Sequence, residues 1–424
     1  MRTYHDPLHG AITLDRADAV ENLLIQLIDT PAFQRLRRIR QLGPASLTFH
    51  GAESSRFTHS LGVMAIARQA FDRLAQRYAE LRPYRATVLC AALLHDLGHG
   101  PFSHTAEEIF GNPHEVWTCR ILRDYQPIAD LLHQFAPDLS WQIEQVYSHQ
   151  HPVPFVWQLI SSQLDCDRLD YLLRDSYFTG ASYGQLDLER ILLAIDYDPL
   201  SQQLVVARKG LAAIEHYLVV RYFMYAQVYN HAKNLAATWL LEQAFGRARE
   251  LLAQGSLTAD ETVQAWLQQK AKGLSLAHYL AGDDIVFMYH LQRWQLSSDR
   301  LLADLCRRFL DRDLPKAIEV TDLAPSQQHQ LLQQLAANLS RQSLDPKRYS
   351  GFRKVWNRGY TLYQRGIKLK SETGLQEISQ LSPLVKTLVK PVQRVWLIYP
   401  AEAEPQLLQL KASLEQHLSF SETV

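Results

Sequence analysis

The clearest periodicity in the chain runs through SSRFTHSLGVMAIARQAFDRLAQRYAEL, where Met64, Ala67, Phe71, Leu74, Tyr78 and Leu81 recur at 3-4-3-4-3 spacing. That spacing draws one apolar stripe along a helix and predicts an amphipathic helix, with His59 near its start beside Arg56. The next segment, Thr87–Leu97, is apolar on every side through Leu89–Leu94, as a helix in the middle of a core is. It runs into a vicinal His95-Asp96 and is stopped by Gly98, Gly100 and Pro101. Upstream, a helix is expected around Asp18–Ile28. A second, AFQRLRRIRQLG, opens where Asp29 or Thr30 can cap and Pro31 suits the first turn.

Beyond a further helical stretch, HEVWTCRILRDY, Pro152 and Pro154 break the chain. FVWQLISSQLDCDRLDYLLRDSYF then predicts one long helix, with Phe155, Leu159, Ser162, Cys166, Leu169 and Leu173 on its apolar face and Asp167, Tyr171, Arg174 and Asp175 on a polar one. Asp170 and Arg174 are spaced to pair at its surface. AIDYDPLSQQLVVAR predicts a hairpin, because an Asp-Pro turn precedes a β-branched return strand. A long helix follows over roughly Gly210–Leu252, and helices continue to about Asp311. A glutamine-rich amphipathic run over Gln327–Leu339, a strand at 394–400 and a helix at 406–418 complete the pattern. The expected fold is mainly α with a short β hairpin, residues 1–320 forming the main domain and 321–424 a small C-terminal α+β appendage.

Composition narrows the choices. Lys+Arg and Asp+Glu both number 44 among 424 residues, so no net field draws the chain onto nucleic acid or an anionic membrane. The four cysteines form no CxxC pair, which suits a reducing cytoplasm rather than a disulfide or zinc-ribbon scaffold. No h-region opens the chain and no apolar run approaches ~18 residues, so neither signal peptide nor membrane span is expected. Histidine is the informative count: 11 of the 17 lie in the first 151 residues.

GxxxxGK[ST], GxGxxG and HExxH are all absent. The remaining chemistry is histidine and aspartate on separate helices: His59, His95-Asp96 and Asp167. Two imidazoles and two carboxylates suit a divalent metal such as Mn, Mg, Fe or Zn, and a metal near water generates a nucleophile at neutral pH. The same residues also fit a satisfied core histidine with a capping aspartate, and spacing alone leaves both readings open.

The motifs DPLHG, DTPAFQRLRRIRQLG, SRFTHSLGV, HDLGHGPFSH, DCDRLDYLLRDS and RYFMYAQVYNH occur in that order over roughly residues 1–320. Together they resemble the HD-domain metal-dependent phosphohydrolases, and within them the deoxynucleoside triphosphate triphosphohydrolase branch. The resemblance implies an HD-domain helical core in which His59, His95, Asp96 and Asp167 hold the metal. It implies hydrolysis at the α-phosphorus that releases deoxynucleoside and intact triphosphate. His104 would be the acid/base, Glu107 its orienting partner, and His99 and His114 further histidines of the phosphate pocket. Arg56, Arg168 and Arg221 would bind phosphate oxygens. Gln41 and Asp175 would read the sugar 3′-hydroxyl, Tyr171 would pack under the sugar, and Tyr225 and Tyr229 would lie near the base. Arg168 stands where relatives often carry Lys, and Tyr225 where some carry His.

A second set, Asp29, Gln34, Arg37, Arg312 and Lys316, matches positions that read a regulatory guanine nucleotide between subunits in activated relatives. That match implies a homodimer or homotetramer, although Asp196 stands where such a relative has Arg, and a basic helix and loop at the surface would explain the same residues. The alternatives to a dNTP triphosphohydrolase are an HD phosphohydrolase acting on a nucleoside monophosphate or cyclic dinucleotide, and a non-catalytic nucleotide sensor. A general nucleic-acid role is not expected.

Overall fold

Ser55 starts the longest helix of the N-terminal region: its side chain accepts from the Thr58 amide, and Arg56–Arg77 follows as the periodicity predicts. Residues Thr87–Leu94 of the Arg85–Leu94 helix are all buried, as their uniform apolarity requires. The computed structural model describes residues 1–411 except 112, 270–272, 358, 362–365 and 373. Packing divides the chain into two compact units that alternate along the sequence. One comprises Met1–Met224, Ala259–Phe287 and Arg358–Lys390, and the other Tyr225–Thr258, Met288–Asn357 and Pro391–Val424. The fold is mainly helical, with short strands gathered in small sheets.

In the first unit the Arg56–Arg77 helix packs on both Arg85–Leu94 and Cys166–Thr179, the arrangement on which the site depends. An antiparallel hairpin, Arg2–Asp6 with Gly10–Leu14, opens the chain. The hairpin expected near residue 195 forms as Ile195–Asp198 with Gln203–Val206. A second hairpin, Lys368–Ser371 with Gly374–Glu377, extends it to four strands through a parallel pairing of Val206 with Leu369.

The second unit contains the helices Ala232–Ala253, Arg300–Leu310 and Pro325–Arg341. It also holds a three-stranded antiparallel sheet in which Val392–Tyr399 lies between Lys316–Glu319 and Gly351–Asn357. Leu397 and Ile398 in that central strand are fully buried, which explains its legibility as an apolar β-rich run. The expected C-terminal helix is helical as far as residue 411, and the remainder of 406–418 lies outside the described residues.

Three expected helices are interrupted. The helix capped by Thr30 ends at Arg35, passes through one 3₁₀ turn, and becomes extended where Arg40 bridges Ser55. The long helix predicted from Phe155 stops at Gln158 and restarts at Cys166. Asp165 makes the restart, its carboxylate accepting from the Ser162 and Arg168 amides at 2.7 Å each. The Gly210–Leu252 stretch is Leu211–Met224, a π turn over Tyr225–Tyr229, and Ala232–Ala253. Among the described residues no helix is long and apolar enough to cross a membrane.

Gly62 marks the closest approach between the first unit's central helices. A Cβ there would lie 2.0 Å from Asp170 Oδ1 and 2.5 Å from Arg174 Nη2, both held rigidly by their own partners. Gly62→Ala should therefore destabilise the chain by about 1–3 kcal/mol, measured as a lower urea midpoint; an unchanged midpoint would show that these helices separate at no cost.

Candidate metal centre

Three helices of the first unit each present ligand-type side chains to one point: His59 from Arg56–Arg77, His95 and Asp96 from the end of Arg85–Leu94, and Asp167 from the first turn of Cys166–Thr179. His59 Nε2 lies 3.3 Å from His95 Nε2 and 3.0 Å from Asp167 Oδ1. His95 Nε2 lies 3.3 Å from Asp96 Oδ1 and 3.6 Å from Asp167 Oδ1. Donor atoms of His59, His95 and Asp96 all fall within 4.8 Å of one another. Gly98 allows the chain to turn here, because a Cβ would meet His114 O at 2.1 Å and Thr118 N at 2.3 Å.

The tautomers follow from the outer contacts. His95 Nδ1 is 2.9 Å from the Ala92 carbonyl, which only accepts, so that nitrogen carries the hydrogen. His59 Nδ1 is likewise 2.7 Å from Asp170 Oδ2. Both Nε2 lone pairs then point at each other and at two carboxylates, a set of acceptors that needs a positive charge at its centre. The titration of the residues registers that field. Burial opposes protonation of His59, but Asp167, Asp170 and Asp96 outweigh it and raise its pKa to about 10. His95 also rises against burial, through Asp96 and Asp167. A divalent cation answers the same demand, and two imidazoles with two carboxylates are a fitting donor set for it.

Asp170 is the carboxylate behind this cluster. It is wholly buried, faces His59 Nδ1 and His9 Nε2, and accepts from Arg174 Nε at 2.7 Å and Nη2 at 3.0 Å. Arg174 Nη1 reaches on to Asp6 at 2.9 Å. The Asp170–Arg174 pair expected at the surface is thus in the core, where it orients a histidine of the cluster. Sequence reasoning missed that role, although Asp6 and His9 come from the DPLHG motif.

A second group adjoins the first. Glu107 Oε1 lies 2.6 Å from His114 Nδ1, 3.2 Å from His104 Nδ1 and 3.6 Å from His99 Nδ1. His99 and His114 stack with centroids 3.9 Å apart. Burial raises Glu107, but His104 and His114 more than reverse it, so the carboxylate stays ionised. His99 is held well below the ordinary imidazole range by burial, Arg56 and His114, and is neutral. It connects the two groups, with Nε2 3.2 Å from Asp96 Oδ1. His104 is 65% exposed and meets the outside. This group also has metal-binding donors within range. Its one carboxylate neutralises less charge than the pair in the first cluster, so the first cluster suits a divalent cation better.

The remaining expected site residues divide. The Arg56 guanidinium donates to Asp96 Oδ2 at 2.6 Å, Ser103 Oγ at 2.9 Å and the Gln41 carbonyl at 3.2 Å, so in this structure it organises Asp96. The buried Gln41 Oε1 has no hydrogen-bond partner among the described residues. Arg168 pairs with Asp165, and Arg221 Nη1 donates to Gln163 Oε1 at 2.9 Å, bringing both arginines to the turn before Asp167. Asp175 is buried and Tyr171 half-buried on the same helix. Tyr225 and Tyr229 belong to the second unit, their rings 5.0 Å apart.

Of the regulatory set, Asp29 pairs with Arg2. Gln34 donates to the Ile28 carbonyl at 2.8 Å and accepts from Arg37, which lies 3.5 Å over the Phe57 ring. Arg312 and Lys316 are in the second unit, Lys316 Nζ 3.6 Å from Glu404. Asp196, the departure from activated relatives, is occupied internally by Lys370 Nζ at 2.8 Å and Tyr78 OH at 3.0 Å.

Comparison with known proteins identifies the family. Residues 56–174 match the HD domain model, and residues 186–339 match the model of the HD associated region. The chain is 36% identical over 396 residues to the uncharacterized protein YwfO of Bacillus subtilis (strain 168), covering 91% of this chain and 89% of that one. It is 32% identical to the human deoxynucleoside triphosphate triphosphohydrolase SAMHD1 over 228 residues, which are 45% of this chain and 35% of the relative. The crystal structure of a phosphohydrolase from Bacteroides thetaiotaomicron superposes with a TM-score of 0.80 at 27% identity, covering 94% of this chain and 99% of that one.

Because Asp170 fixes the His59 ring, Asp170→Asn should weaken Mn²⁺ binding by about 10–100-fold. Calorimetric titration of the folded variant reads this directly, and wild-type affinity would remove Asp170 from the centre.

Proposed function

The chain belongs to the HD-domain family, and from that premise we propose that it is a metal-dependent hydrolase that cleaves deoxynucleoside triphosphates to deoxynucleoside and triphosphate. The observation that carries this reading is the junction of the two groups, where Asp96 touches His99 while Arg56 holds Asp96. A cation cluster beside a row of imidazoles suits a polyphosphate more than a neutral substrate. The similarity to SAMHD1 over 45% of the chain supports the dNTP class.

His59, His95, Asp96 and Asp167 would hold the cation, which when bound supplies Lewis acidity and a water nucleophile at neutral pH. Asp170 and the Ala92 carbonyl keep both Nε2 lone pairs turned inward. Water adds to the α-phosphorus, the bond to the sugar 5′-oxygen breaks, and His104 gives that oxygen a proton. The ionised Glu107 orients His104 and His114 through their Nδ1 atoms. Arg168 and Arg221, both near the turn before Asp167, supply guanidinium forks for phosphate oxygens. Gln41 and Asp175 are the polar groups for the 3′-hydroxyl, with Tyr171 beneath the sugar.

A product assay across the four dNTPs, in Mn²⁺ and Mg²⁺ buffer with and without GTP, tests the proposal. Triphosphate and deoxynucleoside support it. Inorganic phosphate from monophosphates, or a linear dinucleotide from a cyclic one, would favour the other HD hydrolase readings. No turnover, with His59→Ala binding nucleotide as wild type does, would leave a sensor. Stimulation by GTP, abolished by Arg37→Ala, would assign a regulatory role to the Asp29, Gln34 and Arg37 group. His104→Ala should lower kcat by about 10²–10⁴-fold while leaving Mn²⁺ affinity unchanged; full activity in that variant would take the proton-transfer role from His104.

A further inference from the structure

The loop after the metal-type ligands, Gly98–Ser103, is held at both ends by a segment that the function above leaves unused, Tyr279–Asp284, with Arg35 bridging the two. Tyr279 OH donates to the Gly98 carbonyl. Arg35, 1% exposed, donates from Nη1 to the His99 carbonyl at 2.8 Å and from Nε and Nη2 to the Gly282 carbonyl at 3.0 and 2.6 Å. The buried Asp284 carboxylate then takes two backbone amides from different parts of the chain. Oδ1 accepts from Phe102 N at 2.7 Å and Oδ2 from Arg40 N at 2.9 Å.

Those two points matter because of what lies between them. Phe102 and Ser103 have φ of +61° and +57°, a left-handed backbone that non-glycine residues seldom adopt and that must be imposed by surrounding contacts. In that conformation Ser103 Oγ donates to the Arg40 carbonyl and accepts from Arg56 Nε at 2.9 Å, and Arg56 grips Asp96. A continuous set of contacts runs from Asp284 through Ser103 and Arg56 to Asp96.

We propose that Asp284 is a positioning residue of this site: its carboxylate fastens the Phe102–Ser103 turn against the Arg40 backbone, so that Ser103 aims Arg56 at Asp96. The inference rests on the function proposed above and adds a residue to it. The ionised form is the one that accepts two amides. Burial raises the Asp284 pKa to about 6, against the Arg40 and Phe102 amides and the Arg40 guanidinium, with the Asp283 carboxylate adding to the rise. Asp283 is itself held by Arg38, and Arg35 lies close enough to feel Asp284.

The test uses the full-length chain loaded with Mn²⁺. Asp284→Asn keeps the shape but puts an NH₂ group against one of the two amides. Its kcat/KM on dNTP should fall about 10–100-fold, and Mn²⁺ affinity should weaken by less than in Asp170→Asn, because Asp284 reaches Asp96 only through Ser103 and Arg56. The wild-type to variant ratio should be largest above pH 6 and shrink toward unity by pH 5, where wild-type Asp284 is itself protonated; the ratio cancels titrations that both proteins share. Ser103→Ala should show a loss of similar size, and the double variant no more than either single one. Wild-type activity in Asp284→Asn, a loss independent of pH, or multiplying losses in the double variant would overturn the proposal. If Asp284→Asn does not fold, Ser103→Ala alone decides: a tenfold loss supports the chain of contacts and undiminished activity refutes it. A wild-type chain that turns over no dNTP sinks the function proposed above. Positioning is then read from calorimetric binding of inorganic triphosphate, expected to weaken about tenfold in Asp284→Asn; equal binding would refute it.

Discussion

Buried acceptors facing one another are the constraint around which the first unit is built. Two imidazole lone pairs and two carboxylates cannot share a few ångströms of protein interior without a compensating positive charge. The Arg56–Arg77, Arg85–Leu94 and Cys166–Thr179 helices pack as they do despite that cost. Arg56 meets part of the demand at Asp96, and Arg174 meets the corresponding demand at Asp170. What remains between His59, His95 and Asp167 calls for a cation. The field that raises His59 is therefore the clearest physical signature of the site.

Charge is distributed with a division of labour. The metal-type cluster has His59 and Asp96 buried and His95 and Asp167 partly covered, with the Nδ1 of each histidine engaged. The Glu107 group is more open, with one carboxylate shared by three imidazoles and His104 largely exposed. A covered cluster and an exposed imidazole have different needs, and the glycine-rich turn between them separates the two environments within a few residues.

That turn shows how far apart in sequence the supports of a site can be. Gly98, His99 and Phe102 give their backbone groups to Tyr279, Arg35 and Asp284. Local turn bonds satisfy some of the loop's backbone groups, such as the His99 and Ser103 amides, and distant segments provide partners for others. A buried arginine bound only to carbonyls, such as Arg35, is tolerable in this setting because Asp283 and Asp284 lie near it.

Local patterning in the chain determined much of this protein. The 3-4-3-4-3 stripe specified the Arg56–Arg77 helix, the all-apolar run specified a core helix, and the Asp-Pro turn specified a hairpin, because each depends on neighbours a few residues away. The motif HDLGHGPFSH with RFTHSLGV and DCDRLDYLLRDS marked the family for the same reason: its residues keep fixed local spacing. Helix ends were less legible. Asp165 acts as a cap only where a fold lets the chain turn, and Arg40 turns extended only where it can bridge Ser55, so the helices expected to run through Ser161–Ser162 and past Arg35 are broken. Only tertiary structure decided that Asp170 and Arg174, which read as a surface pair, are buried behind His59. It likewise assigned Asp284 to Phe102 across 182 positions of chain. Contacts of that range leave no periodic trace, because a carboxylate that accepts a distant backbone amide constrains its own identity and not that of its neighbours.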